Sequence, residues 1–76
     1  MNSKVATVNV LELIDSNPTQ LASFKDDKKG NAAAEKLFAK MAKENGASDA
    51  DIESYIEYGA FTYGDEVCGV YLIHSS

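Results

Sequence analysis

The most reactive side chains lie near the end of this 76-residue chain, where its only cysteine, Cys68, and its only histidine, His74, are found. A thiolate beside an imidazole is a nucleophile–base pair, or part of a metal site. The segment that carries both residues, VCGVYLIH, has the composition of a β-strand. Along one strand, at about 3.3 Å per residue, the two side chains are about 20 Å apart, far beyond the ~3 Å of a hydrogen bond. We therefore expect a buried structural cysteine and an exposed histidine.

Paired carboxylates are the next candidates for catalysis. Glu53 and Glu57 are four residues apart on one predicted helix, and no lysine compensates them. Asp65, Glu66 and His74 form a second candidate group around a predicted hairpin. Acid–base catalysis needs a carboxyl group in an apolar pocket that raises its pKa, and no motif marks such a pocket. We expect no enzyme activity and no catalytic residue, and a small carboxylate-dependent hydrolase is an alternative.

No ligand set for a metal or cofactor is indicated. The segment DADIE, which starts at Asp49, offers oxygens at alternate positions but lacks the glycine and twelfth-position glutamate of a helix-flanked calcium loop. A single cysteine excludes an intramolecular disulfide and a multi-cysteine zinc site, which favours a reducing compartment. Glycine-rich phosphate loops and dinucleotide fingerprints do not occur. The sequence predicts no cofactor, no metal and a cytoplasmic location.

The charges are distributed unevenly along the chain, whose net charge is −5. Residues 1–43 hold all seven lysines against five acids, whereas residues 44–76 hold seven acids and no cation. Lys36, Lys40 and Lys43 form one helical stripe, which would serve a weak nucleic-acid-binding regulator. The chain has no arginine, the residue that reads guanine edges and binds phosphates in a bidentate manner. Nucleic-acid binding is therefore disfavoured.

The acidic half also contains all four tyrosines. Uncompensated carboxylates steer a protein towards basic partners, and rigid aromatic side chains anchor interfaces. We therefore expect a non-enzymatic adaptor or inhibitor that docks on a basic protein surface, with nucleic-acid mimicry as one way of doing so; a merely solvated face is the alternative. The predicted partner-binding residues are Asp49, Asp51, Glu53, Tyr55, Glu57, Tyr58, Tyr63, Asp65 and Glu66. In its length, acidity and lack of a cofactor motif the chain is similar in kind to small accessory proteins that bacteriophages and mobile elements encode to bind a host protein.

The N-terminal elements follow from the hydrophobic pattern. The segment KVATVNV alternates as a half-buried strand does, which predicts a strand near residues 4–8. Two short helices are predicted after it. One begins at Asn9, and the other is capped by Asn17 with Pro18 at its first helical position.

The later elements carry the predicted binding residues. Two longer helices are predicted at about 32–45 and 49–58, the first capped by Asn31 and ended by Gly46. A capping box of Ser48 and Asp51 would start the second helix, and Gly59 would end it. The runs AFTY and VCGVYLIH predict a C-terminal hairpin.

Together these elements predict a single α+β domain spanning residues 1–76, with three or four helices on a short antiparallel sheet. The sheet would combine the N-terminal strand with the hairpin, and the last strand, apolar on both faces, would lie inside it. An all-helical bundle with a two-stranded ribbon is the alternative. No membrane span is expected, and weak dimerisation through a sheet edge stays open. The predicted core comprises Val8, Leu13, Leu21, Phe24, Leu37, Phe38, Met41, Ile52, Ile56, Phe61, Val70 and Leu72.

Overall fold

A computed structural model describes residues 6–64 and 67–75 of the chain. Within them lie six elements: β1 (Thr7–Ile14), β2 (Asn17–Lys25), α1 (Lys28–Glu44), α2 (Ile52–Tyr58), β3 (Ala60–Tyr63) and β4 (Cys68–Ser75). The four strands form one antiparallel sheet in the order β2-β1-β4-β3. This confirms the α+β class, the C-terminal hairpin and the interior position of the last strand. The described residues contain two helices, so the prediction of three or four is wrong.

The segment predicted as two short helices is a β-hairpin. β1 extends to Ile14, and β2 pairs back along it from Asn17. Asp15 and Ser16 form the turn with φ angles of 50° and 68°. Two consecutive positive φ angles match the twist of the flanking strands in a two-residue hairpin turn. Pro18 lies on the edge strand opposite Leu13, where its missing N–H is tolerated, so the Asn-Pro pair starts a strand here.

The long helix α1 starts earlier than predicted. Its N-cap is Asp27, whose side chain accepts a 2.7 Å hydrogen bond from the N–H of Gly30. Asn31, the predicted cap, instead donates from its side chain to Asp26 Oδ1 at 2.6 Å. At the other end Gly46 has a φ of 107°, which confirms the predicted left-handed stop.

The core lies between the helices and one face of the sheet. It consists of Val8, Val10, Ala34, Phe38, Ala42, Ile52, Phe61 and Val70. Leu13 and Leu21, predicted as core residues from helical spacing, are not part of this cluster, and Leu21 is 37% exposed. The error has a simple cause, since side chains alternate between the two faces of a strand and only every second one reaches the core. Val10 is buried for the same reason.

Candidate protein-binding surface

The predicted binding residues surround the corner where α2 passes into β3. Gly59 ends α2 with a φ of 80°, and its N–H donates to the carbonyl of Tyr55 at 2.7 Å. A left-handed residue at this position ends the helix and turns the chain away, and β3 begins at the next residue, Ala60. The last turn of α2 and the first residues of β3 are therefore neighbours.

The start of α2 differs from the prediction. The helix begins at Ile52, and the side chain of its N-cap, Asp51, makes no hydrogen bond to the first turn. Asp51 instead accepts a 2.8 Å hydrogen bond from the hydroxyl of Ser48 and donates its N–H to the Ser48 carbonyl at 3.1 Å. These bonds close a turn that precedes the helix. The predicted capping box, in which Ser48 would bind a backbone N–H of the first turn, is wrong.

Two of the predicted anchor tyrosines pack around Phe61. The Tyr55 ring meets the Phe61 ring edge to face, with centroids 4.8 Å apart and an angle of 65°. On the other side Tyr63 stacks on Phe61 with centroids 5.8 Å apart. Burial, and then the nearby Cys68 and Glu12, raise the pKa of the Tyr63 phenol. Tyr55 thus helps to hold α2 on the sheet, and both Tyr55 and Tyr63 are partly buried.

Tyr58 has a different environment, because its side chain is 85% exposed. It stands beside a shallow groove of about 460 Å³ between α2 and β3, which is lined by Ser54, Tyr55, Tyr58, Ala60, Phe61 and Thr62. Four of these lining residues, Ser54, Ala60, Phe61 and Thr62, are not among the predicted binding residues. Gly59 could have indicated them from the sequence. A glycine that ends a helix directly before a strand places the first strand residues beside the last helical turn.

The acidic side chains divide into engaged and free groups. Asp49 forms an ion pair with Lys43, with Oδ1 2.8 Å from Nζ, so its charge is compensated across the loop that separates the two helices. Asp51 is held by Ser48. Glu53 and Glu57 are exposed, and their spacing places them on the same side of α2. Asp65 and Glu66, predicted at the hairpin tip, lie outside the described residues.

The structure therefore brings together part of the predicted set. Glu53, Glu57 and Tyr58 share α2 next to the groove, with Tyr55 forming one of its walls. Tyr63 lies further along β3, beyond Phe61. We call Glu53, Glu57, Tyr58 and the groove together the α2–β3 surface.

The lysine stripe borders a second depression, of about 620 Å³, on the outside of α1. Its lining consists of Ala33, Lys36, Leu37, Ala39, Lys40 and Lys43. The floor is apolar and the three lysines are exposed, but Lys43 is paired with Asp49. This leaves Lys36 and Lys40 as the uncompensated charges of the depression among the described contacts.

Cys68 and His74 stand at opposite ends of β4, as predicted from their spacing. The imidazole lies beside a carboxylate, with His74 Nδ1 3.3 Å from Asp26 Oδ2. The hydrogen bond from Asn31, followed by that from His74, holds the pKa of Asp26 below its ordinary value. This cluster links the C-terminal end of β4 to the connection between β2 and α1. Gly64 and Val67, the described residues that flank Asp65 and Glu66, lie at the other end of β4.

Neither of the helices found in the described residues is long and apolar enough to cross a membrane. No protein-family model matches the chain, and neither a curated protein nor a solved structure gives a significant match.

Proposed function

We propose that this protein is a small non-enzymatic binding module, of adaptor or inhibitor type, that docks its α2–β3 surface on a basic protein surface in the cytoplasm. The observation that carries the proposal is the exposed ring of Tyr58, 85% accessible, beside a groove and on the same helix as two exposed glutamates that form no ion pair with a described residue. An exposed tyrosine beside two glutamates combines a side chain that can anchor a partner with charges that attract a basic one.

The two kinds of side chain have separate roles in this proposal. Tyrosine has few rotatable bonds, so it loses little entropy when a partner buries it, and aromatic residues dominate the energetic centres of interfaces. Glu53 and Glu57 lie at the rim, where charges mainly raise the association rate and reject acidic partners. Glu53 and Glu57 place two negative charges side by side, as successive phosphates of a nucleic acid do, so a basic site that normally holds nucleic acid is one partner surface that would suit them.

The experiment is capture of partners from the source cell on the immobilised full chain, repeated with a Tyr58→Ala variant and a Glu53→Gln/Glu57→Gln double variant. For a captured partner, Tyr58→Ala should speed dissociation by roughly tenfold or more, which is typical of an interface hot spot. The double amide variant should slow association and flatten its salt dependence. Glu35→Gln, a change of an exposed acid on α1, is the matched control and should leave both rates unchanged.

Partners that bind Tyr58→Ala and the double amide variant with wild-type rates would refute the proposal. Tyr58→Phe, which keeps the ring, should dissociate more slowly than Tyr58→Ala, and equal dissociation rates for the two would contradict an anchoring role for the ring. Thermal unfolding of each variant checks that the fold is retained.

The second candidate is a weak nucleic-acid-binding regulator that uses the depression on α1. It is favoured by the apolar floor of that depression and the exposed side chains of Lys36 and Lys40. Binding would weaken steeply with salt, because each neutralised phosphate releases condensed counterions. A Lys36→Gln/Lys40→Gln variant should then lose binding to single- and double-stranded probes at low salt, and a wild-type chain that binds neither probe removes this candidate.

A further inference from the structure

The sheet has one face covered by the helices and one face without helices. In the described residues the core side chains of the sheet, Val8, Val10, Phe61 and Val70, all point to the covered face, as the strand register requires. The smallest extent of the Cα trace is 16 Å, which corresponds to two layers, one of helices and one of strands. Within residues 6–64 and 67–75 no layer covers the second face of the sheet, here called the open face.

The strand register assigns the residues of the open face. Its members across the four strands are Thr7, Asn9, Leu11, Leu13, Pro18, Gln20, Ser23, Lys25, Ala60, Thr62, Gly69, Tyr71, Ile73 and Ser75. Lys25, at one corner, is the single charged residue among them. The chain is 25% charged, so a wetted surface of this size would carry roughly three or four charges, whereas interface cores are depleted of charge.

The two inner strands place large apolar side chains at the centre of the open face. Leu11 faces Tyr71 across the β1–β4 pair, and Leu13 faces Gly69 one step further along. Ile73 is 45% exposed. A solvated antiparallel sheet normally alternates apolar residues on its inner face with polar residues on its outer face, whereas the inner strands here also carry Leu11, Leu13, Tyr71 and Ile73 on the open face.

Two side chains of the open face, those of Tyr71 and Asn9, lie along the sheet. A Cβ added to Gly69 would lie 3.1 Å from both Cε2 and Oη of Tyr71, so the tyrosine ring covers this glycine. The amide of Asn9 points along the surface, with Nδ2 3.4 Å from each of Thr7 Oγ1, the Ile73 carbonyl and Ser75 Oγ. The amide of Asn9 is thus satisfied within the face, which is compatible with sheet-on-sheet packing.

We propose that a second copy of this chain covers the open face, so that two sheets pack face to face about a two-fold axis. A face without acids, and with one corner lysine, offers no charge to steer either a basic protein or an anionic membrane, but it is complementary to itself. The helix α2 lies on the covered side of each copy, so its carboxylates, Glu53 and Glu57, face away from the contact.

The area of the open face agrees with a reversible dimer. Four strands about 4.8 Å apart and rows of about seven residues at 3.3 Å give roughly 500 Å² per copy with side-chain relief, or about 1,000 Å² in total. This total lies at the lower limit for specific complexes, where dissociation constants are micromolar rather than nanomolar. Ala60 and Thr62 belong both to the open face and to the lining of the groove, so the dimer would cover the β3 side of the groove and leave Glu53, Glu57 and Tyr58 on α2 outside the contact. The dimer is tested without any second protein, so its failure and the failure of the proposed function are distinguishable.

Sedimentation velocity of the full chain, from about 10 μM to about 500 μM, tests the proposal. The wild type should shift from monomer to dimer across this range. Ile73→Lys puts two like charges into a dry two-fold contact and should weaken the dimer by at least ~100-fold. Ala32→Lys makes the same change in charge at an exposed position of α1, on the covered side; it is the matched control and should dimerise as the wild type does.

A wild type that stays monomeric throughout the range overturns the proposal, and so does a dimer that survives Ile73→Lys, since that result would indicate pairing through a strand edge. If Ile73→Lys does not fold, the wild type decides alone. In a mixture of labelled and unlabelled chains, intermolecular contacts between the Tyr71 ring and residues of β1 are expected, and their absence in a proven dimer refutes face-to-face packing.

Discussion

Replacing Gly30 by alanine should destabilise this protein, although the same change in an ordinary helix is stabilising. Alanine exceeds glycine in helix propensity by roughly 1 kcal/mol, and Gly30 lies in the first turn of α1. Here a Cβ would overlap the carbonyl oxygen of Lys25, lie 2.8 Å from the carbonyl carbon and approach Asp27 Oδ1 to 3.2 Å. The overlap is with backbone, so no side-chain rotation relieves it.

The magnitude depends on which groups must move. Separating the first turn of α1 from the end of β2 pulls Gly30 away from Asp27, whose 2.7 Å cap is worth about 1 kcal/mol. The remaining overlap resembles an overpacked site and costs about 1–3 kcal/mol. After the propensity gain is subtracted, the net loss is about 1–3 kcal/mol, a large part of the roughly 4–11 kcal/mol expected for a chain of this length.

Urea denaturation followed by circular dichroism measures the free energy of unfolding of the Gly30→Ala variant. The control is Ala32→Gly, an exposed position two residues along the same helix, which should lose about 1 kcal/mol through propensity alone. The reasoning is refuted if Gly30→Ala is more stable than the wild type by the ordinary propensity difference.

Two further changes address the core and the acid response. Phe38 is fully buried, so Phe38→Ala should cost about 3–5 kcal/mol in the same denaturation assay, and a loss under about 1 kcal/mol would contradict its central position. The lowered pKa of Asp26 means that the unfolded chain binds more protons at this site, so its contribution is present above about pH 4 and is lost as the pH falls through the lower folded value. Asp26→Asn and Asn31→Ala should therefore both flatten the loss of stability in acid, and melting curves that stay parallel to the wild type would refute the role of this cluster.

For the binding surface, residue type alone did not predict which tyrosines and acids are exposed. The position of each residue in the fold decides that. The pattern of tyrosines and acids marks α2 and β3, but it treats Tyr55, Tyr58 and Tyr63 alike. Packing separates them, because Tyr55 and Tyr63 flank Phe61 while Tyr58 points to solvent. Likewise the charge count includes Asp49, and only the folded chain brings Lys43 within 2.8 Å of it.

Local signals in the sequence determined the elements whose ends are chemically marked. The helix formers of α1, the glycines at 46 and 59, and the aromatic and β-branched runs of the hairpin each act within a few residues, so no long-range contact is needed to interpret them. The composition of the last strand also predicted its position inside the sheet, because both of its faces are largely apolar.

Tertiary structure decided the segment from Asn9 to Phe24. Its spacing fits a helix start and a strand equally, and Asn17-Pro18 suits the first turn of a helix as well as an edge strand. Pairing with β4 selects the strand, because β1 gains a ladder on both sides and buries Val8 and Val10 against α1. That energy is non-local, supplied by residues 56 to 68 positions away, and a local pattern contains no information about it.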